Sequence, residues 1–133
     1  MIYVFDANAM IALLNDEPGA DVISEILTRP DAIVYAHAIN LAEVFYWSIR
    51  HEGEAQALLA YAGLQALGIQ TRADMDEEFW QTAAGVKASH RMALADAFAI
   101  ALALRVDGVL ITSDHRELGP VAAANVCRIV FFR

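Results

Sequence analysis

Short unbroken apolar runs, rich in β-formers and each ending at a polar residue, alternate along this chain with longer stretches of helical period. Residues 2–5 (Ile-Tyr-Val-Phe) stop abruptly at Asp6, as a strand buried on both faces does. A helix is predicted over 8–15, broken by Glu17-Pro18-Gly19. A second is predicted over 20–28, with Val22, Ile23, Ile26 and Leu27 on one face. After the Arg29-Pro30-Asp31 turn comes a strand over 32–36, then a helix from Asn40 to about residue 50. Gly53 begins another helix, Gly68 stops it, and 69–71 form a short strand. Residues 74–88 read as a helix with Phe79, Trp80, Ala83 and Val86 towards the core. Ser89-His90-Arg91 connects it to an alanine-rich helix over 93–106 that is apolar almost all round, hence central. Strands over 109–112 and 126–131 complete the pattern, and nothing is placed between them.

Strands alternating with helices imply an α/β fold with a parallel sheet covered on both faces. No repeat, linker or low-complexity tract divides the chain, so residues 1–133 are expected to form one domain. Hydrophobic residues make up 58%, which implies a filled interior with apolar surface left for a partner. The longest apolar run, Ala97–Leu104, is far below the roughly 18 residues of a membrane helix. The N-terminus lacks the basic start of a signal peptide, so the expected location is the cytoplasm. Cys127 is the sole cysteine, which excludes a disulfide framework or a thiolate zinc cage and suggests a buried structural thiol.

Seventeen acids against nine Lys plus Arg give a net charge of −8, the wrong sign for a free nucleic-acid binder. Either the acids hold divalent cations or no nucleic acid is involved, and their positions must decide. In open parallel sheets, ligands sit beyond the carboxyl ends of the strands. Asp6 follows the first strand, and Asp114 follows the strand over 109–112. Glu43 and Asp96 fall in the first turns of predicted helices at the same edge. Each has an ordinary alternative. Asp6 can cap a helix, although Asn8 can do so equally well. Asn40-x-x-Glu43 is close to a capping box. Asp114 can open a turn. Asp96 is harder to explain away, because it interrupts a segment otherwise free of charge, and a buried acid needs a partner or a metal. Glu117 is a candidate fifth acid or a solvated one.

Oxygen ligands without cysteine or clustered histidine suit one or two Mg²⁺ or Mn²⁺ ions rather than zinc. Such ions can activate water in phosphodiester cleavage and let phosphate approach an acidic pocket. Lys87, Arg91 and Arg116 lie near the same edge and are either phosphate contacts, Lys87 and Arg91 foremost, or ordinary solvated surface charges. His37, His90 and His115 fall near strand ends or helix starts without metal-ligand spacing, and His51 sits at a helix end.

Four segments together resemble the PIN-domain family: Val4-Phe5-Asp6-Ala7-Asn8, Asn40-Leu41-Ala42-Glu43-Val44, Leu94-Ala95-Asp96-Ala97-Phe98 and Leu110-Ile111-Thr112-Ser113-Asp114. They occur in the family's order and span nearly the whole chain. The short length is most similar to VapC-type toxins. The resemblance implies a three-layer α/β/α sandwich with a central parallel sheet of about five strands. It also implies Mg²⁺- or Mn²⁺-dependent RNA cleavage, a homodimer and inhibition by a cognate antitoxin. It carries catalytic and metal-binding roles onto Asp6, Glu43, Asp96 and Asp114, with Glu117 in place of a frequent second aspartate. Asn8, Asn40, Thr112, Lys87 and Arg91 become candidate substrate contacts. Many relatives have Thr or Ser at Asn40 and Arg at Ser113; the second difference removes a phosphate contact. Two rivals remain open. One is a haloacid-dehalogenase-like phosphatase with Asp6 as nucleophile, although Asn8 replaces the second aspartate that chemistry requires. The other is a non-catalytic acidic dimeric binding module.

Overall fold

The computed structural model describes residues 1–133. In chain order the elements are β1 (Ile2–Phe5), α1 (Ala7–Leu14), α2 (Ala20–Thr28), β2 (Ile33–His37), α3 (Ala38–Glu52) and α4 (Glu54–Ala66). They continue with β3 (Ile69–Arg72), α5 (Glu77–Ser89), α6 (Leu94–Val106), β4 (Val109–Thr112), α7 (His115–Ala123) and β5 (Arg128–Phe131). The five strands form one sheet in the order β3-β2-β1-β4-β5. Every neighbouring pair is parallel. In register, Val4 of β1 lies between Tyr35 of β2 and Leu110 of β4.

Alternate residues of β1 enter opposite halves of the core, which is why its run reads as continuous apolar sequence. Tyr3 and Phe5 pack with Met10 of α1, Ile23 and Ile26 of α2, Leu41 and Val44 of α3 and Leu64 of α4. Val4 packs on the other face with Phe79 of α5, Ile100 and Leu102 of α6, and Leu118 and Val121 of α7. The result is the three-layer arrangement that the alternation and the resemblance imply. From β1 the chain winds to β2 and β3 on one side, then to β4 and β5 on the other. β1 and β4 therefore flank the switch point, where a crevice opens at the strand ends.

Local chemistry moves several boundaries. Asp6, not Asn8, caps α1: its Oδ1 accepts the Ala9 N–H at 2.9 Å. Nor does Asn40 cap α3, which begins at Ala38 with His37 as its cap. His37 Nδ1 accepts the Ile39 N–H at 3.1 Å, so Nε2 carries the proton and donates to the Asp74 carbonyl at 2.9 Å. With its ring stacked on Phe79 and Phe98, this buried histidine is fully occupied as a structural group. Helix α5 starts at Glu77 rather than 74, because the Asp74 carboxylate is held outside it by Arg72 and Arg105. Trp80, expected in the core, is 44% exposed; Phe79 takes the inward position, and the next residue lies about 100° round the helix. Val22 is likewise turned outward while Ile23 and Ile26 point in. Cys127 is part-buried, and burial pushes its thiol up to about 11, which leaves it unreactive.

Candidate active site

Each acid reaches the crevice by a different local device. Asp6 ends β1 and is 2% exposed. Its Oδ1 is committed to the α1 cap, while Oδ2 has no partner in good hydrogen-bond geometry, the Thr112 hydroxyl being near enough only to ease its charge. Asp114 follows β4 and caps α7, accepting the Glu117 N–H at 3.0 Å. Its own N–H donates to Thr112 Oγ1 at 3.1 Å, so the buried Thr112 fixes the turn that aims it. Asp96 stands in the first turn of α6. Glu43 lies beyond the first turn of α3, because that helix starts earlier than the sequence implies.

Asn40 explains how Glu43 comes near. Its side chain is 1% exposed and donates from Nδ2 to the Ala95 carbonyl at 3.4 Å. This bond ties the start of α3 to the start of α6. Glu117 closes the site from the opposite side: its Oε2 accepts the Ala93 N–H at 3.2 Å. Carboxylate oxygens of Asp96, Asp114 and Glu117 all lie within 4.8 Å of one another. Glu117, the least expected of the acids, is therefore in the cluster, while Asp6 at the end of β1 and Glu43 in α3 add their charge to Asp96.

The electrostatics are those of uncompensated charge. Burial pushes the Asp96 carboxyl up to about 7, with Asp6, Asp114, Glu43 and Glu117 adding to the shift in that order. Burial likewise raises Asp6 to about 6, an effect that the Thr112 hydroxyl and the Ala9 amide offset only in part. Glu43 is also raised, by burial. No lysine or arginine forms a salt bridge with any of the five. An orphaned buried acceptor among oxygen-only donors fits a hard divalent cation such as Mg²⁺ or Mn²⁺.

The other candidates are placed as follows. Lys87 is exposed and donates to the Met92 carbonyl at 2.7 Å, bracing the connection into α6. Arg91 is exposed on that same connection, and Asn8 is exposed in the first turn of α1. His115 stacks on Phe131 and bonds the Arg133 carbonyl, and His51 stacks on Trp47.

Residues 3–122 match the family model described as PIN domain. The chain belongs to the PIN domain family. Among curated proteins, none matches it in sequence. Solved structures give the fold. VapBC-1 from nontypeable Haemophilus influenzae is 19% identical with a TM-score of 0.75, over 99% of this chain and 98% of that one. A toxin–antitoxin complex from Klebsiella pneumoniae is 17% identical with a TM-score of 0.74, over 98% of each chain. VapC20 of Mycobacterium tuberculosis, described as a sarcin–ricin loop cleaving toxin, is 17% identical with a TM-score of 0.69, over 93% of this chain and 95% of that one. As a PIN domain, this chain has its acids at the C-terminal edge of β1 and β4. The dehalogenase-like alternative gives way to this assignment. Asp6 is enclosed and capping, and the residue two positions on is a solvent-facing asparagine.

Proposed function

We propose that this PIN domain is a metal-dependent endoribonuclease and the toxin half of a toxin–antitoxin pair. The observation that carries the reading is a cluster of three carboxylates without countercharge, to whose charge Asp6 and Glu43 add, Asp6 bearing a buried oxygen without a partner. Asp96, Asp114 and Glu117 would hold one or two ions, with Asp6 and Glu43 completing the charge. When bound, Mg²⁺ or Mn²⁺ supplies positive charge that polarises a phosphate and acidifies water. The chain's own residues do the positioning. Asp6 keeps Oδ1 on the Ala9 amide and offers Oδ2. Glu117 keeps Oε2 on Ala93 and offers its other oxygen. Thr112 fixes Asp114, and Asn40 fixes the spacing of α3 from α6.

The toxin reading draws on neighbours described as a toxin–antitoxin complex and as a loop-cleaving toxin. Partner binding, by an antitoxin and by a second copy, is supported by apolar side chains exposed on the α3–α4 hairpin. Tyr46 and Leu58 are 50% and 56% exposed and share an apolar groove with Leu41 and Phe45, the kind of surface a partner covers. No helix is long and apolar enough to cross a membrane.

The test is incubation of purified, partner-free protein with total RNA, with and without Mg²⁺ or Mn²⁺, followed by mapping of the cut ends. The expected outcome is metal-dependent cleavage leaving 5′-phosphates. Cleavage that survives excess chelator, or that leaves 2′,3′-cyclic phosphates, overturns the reading. A protein with no metal response and no cleavage would be a binding module instead.

A further inference from the structure

A nucleic-acid strand is a polyanion, and a chain of net charge −8 can grip it only with cations that its own acids leave free. The nine lysines and arginines divide sharply on this point. Arg29, Arg72, Arg105, Arg128 and Arg133 each pair with a carboxylate. Arg50 lies over the Tyr46 ring at 5.2 Å, near the far end of α3. Lys87 is anchored on the Met92 carbonyl. Arg91 and Arg116 are exposed and have neither an ion pair nor a hydrogen bond within the chain.

Their positions are as telling as their freedom. Arg116 immediately precedes Glu117 in the first turn of α7. Arg91 stands two residues before Ala93, whose N–H is held by Glu117. With about 3.8 Å between successive Cα atoms, both are rooted within roughly 8 Å of backbone from that hydrogen bond. They arrive on two different elements, the α5–α6 connection and α7, which Glu117 joins beside the carboxylates.

We propose that Arg91 and Arg116 are the two backbone grips of the site, taking phosphates that flank the one held at the carboxylates. A guanidinium suits this role because its planar fork bonds two phosphate oxygens at once. The site then selects an oligonucleotide with charge on both sides of the cut, rather than a mononucleotide or a phosphomonoester. This inference rests on the nuclease reading above, and the experiment separates the two.

The assay is Mn²⁺-supported cleavage of a short single-stranded RNA by the full chain, at several salt concentrations. Arg91→Gln and Arg116→Gln should each raise KM several-fold with little change in kcat. Each should also flatten the slope of log kcat/KM against log salt by about 0.7, the contribution of one phosphate contact on a single strand. Arg50→Gln is the control and should change neither. A neutral methylphosphonate beside the cut should weaken the unmodified protein but not the variant that lacks the matching arginine. Because both side chains are exposed, the variants should melt as the unmodified protein does. If Arg91→Gln and Arg116→Gln keep the original KM and salt slope while RNA is still cut, the grips are wrong and the nuclease reading stands. A protein that neither binds nor cuts RNA in Mn²⁺ overturns the reading and the grips together.

Discussion

Two groups of aspartates in this molecule meet opposite fates. Asp74 and Asp76, between β3 and α5, are neutralised from within the chain. Arg72 binds both Asp74 oxygens at 2.9 Å, and Arg105 bonds Asp74 and both oxygens of Asp76. The Asp74 carboxyl is accordingly held down at about 2, chiefly by its bonds to Arg72. Asp6 and Asp96, at the crevice, have no cation, and burial with mutual repulsion drives them up to about 6 and about 7. The chain thus pairs its part-buried and exposed acids with arginine here and pairs none at the more deeply buried crevice. The first group serves the fold, while the second keeps its charge uncompensated within the chain.

The sharpest way to break the comparison is to remove one carboxylate from each group. Asp96→Asn and Asp6→Asn should abolish RNA cleavage, while metal-free stability is kept or raised. At the 4.8 Å limit a like-charge pair costs under 1 kcal/mol in water and about 3 kcal/mol at an effective dielectric near 20. Asparagine at residue 6 also keeps the cap, since it serves there about as well as aspartate. Asp74→Asn should do the reverse, costing about 1–2 kcal/mol of stability and leaving cleavage intact. Melting curves beside a cleavage assay decide it. Asp6 and Asp96 variants that melt earlier yet still cut RNA would make those acids structural.

Metal titration is the next largest expected effect. Binding to the folded state alone stabilises by about 2.7 kcal/mol at a hundredfold excess over Kd. The Mg²⁺-induced rise in Tm should shrink in Asp96→Asn and stay whole in Asp74→Asn. A rise that is equal in both would remove the distinction between the groups.

The pH dependence should carry opposite signs. Asp6 and Asp96 have folded values above their ordinary 3.8, so the folded state binds more protons through that interval. Their contribution is therefore complete below about pH 4 and lost as pH rises through 6 and 7. Asp74 lies below its ordinary 3.8, so its contribution is present above about pH 4 and lost towards pH 2. Metal-free Tm should then fall between pH 5 and 8, and saturating Mg²⁺ should flatten that fall. A metal-free Tm that climbs steadily to pH 8 would contradict the raised values.

The smallest expected effect belongs to Glu117, which shares features of both groups. Glu117→Gln keeps an oxygen for the Ala93 amide while removing one negative charge. Stability should change by less than about 1 kcal/mol, with a weakened Mg²⁺ response and reduced, not abolished, cleavage. A fully silent variant would confine Glu117 to tying α7 to α6.

Much of this was legible in the linear pattern because its causes are local. A continuous apolar run such as Ile2–Phe5 must be covered on both faces, whatever surrounds it. An acid inside the apolar stretch around Asp96 must be accounted for wherever that helix packs. The capping box at Asn40 misled for the same reason, since His37 reaches the free amides first, and of the two cap candidates for α1 it is Asp6, not Asn8, that does so. Helix α7 escaped notice because Gly119 and Pro120 lie inside it, two residues that argue against a helix by local propensity. Its apolar residues Leu118 and Val121 are buried against the sheet, and packing outweighs propensity there.

The amino-acid order by itself determined the α/β alternation, the acids Asp6 and Asp114 at strand ends and Asp96 at a helix start, and the family to which the chain belongs. Only the tertiary structure decided which charges meet. Asp74 and Arg105 are 31 residues apart in sequence, and Glu117 and Ala93 are 24 apart. No local rule sets such contacts. They follow from the sheet order that places β4 beside β1 and lays α6 and α7 on one face. Coulomb energy depends on distance in space and on burial, and both are properties of the packed chain alone. That is why the sequence could name these acids while the fold determined which are neutralised and which stay uncompensated.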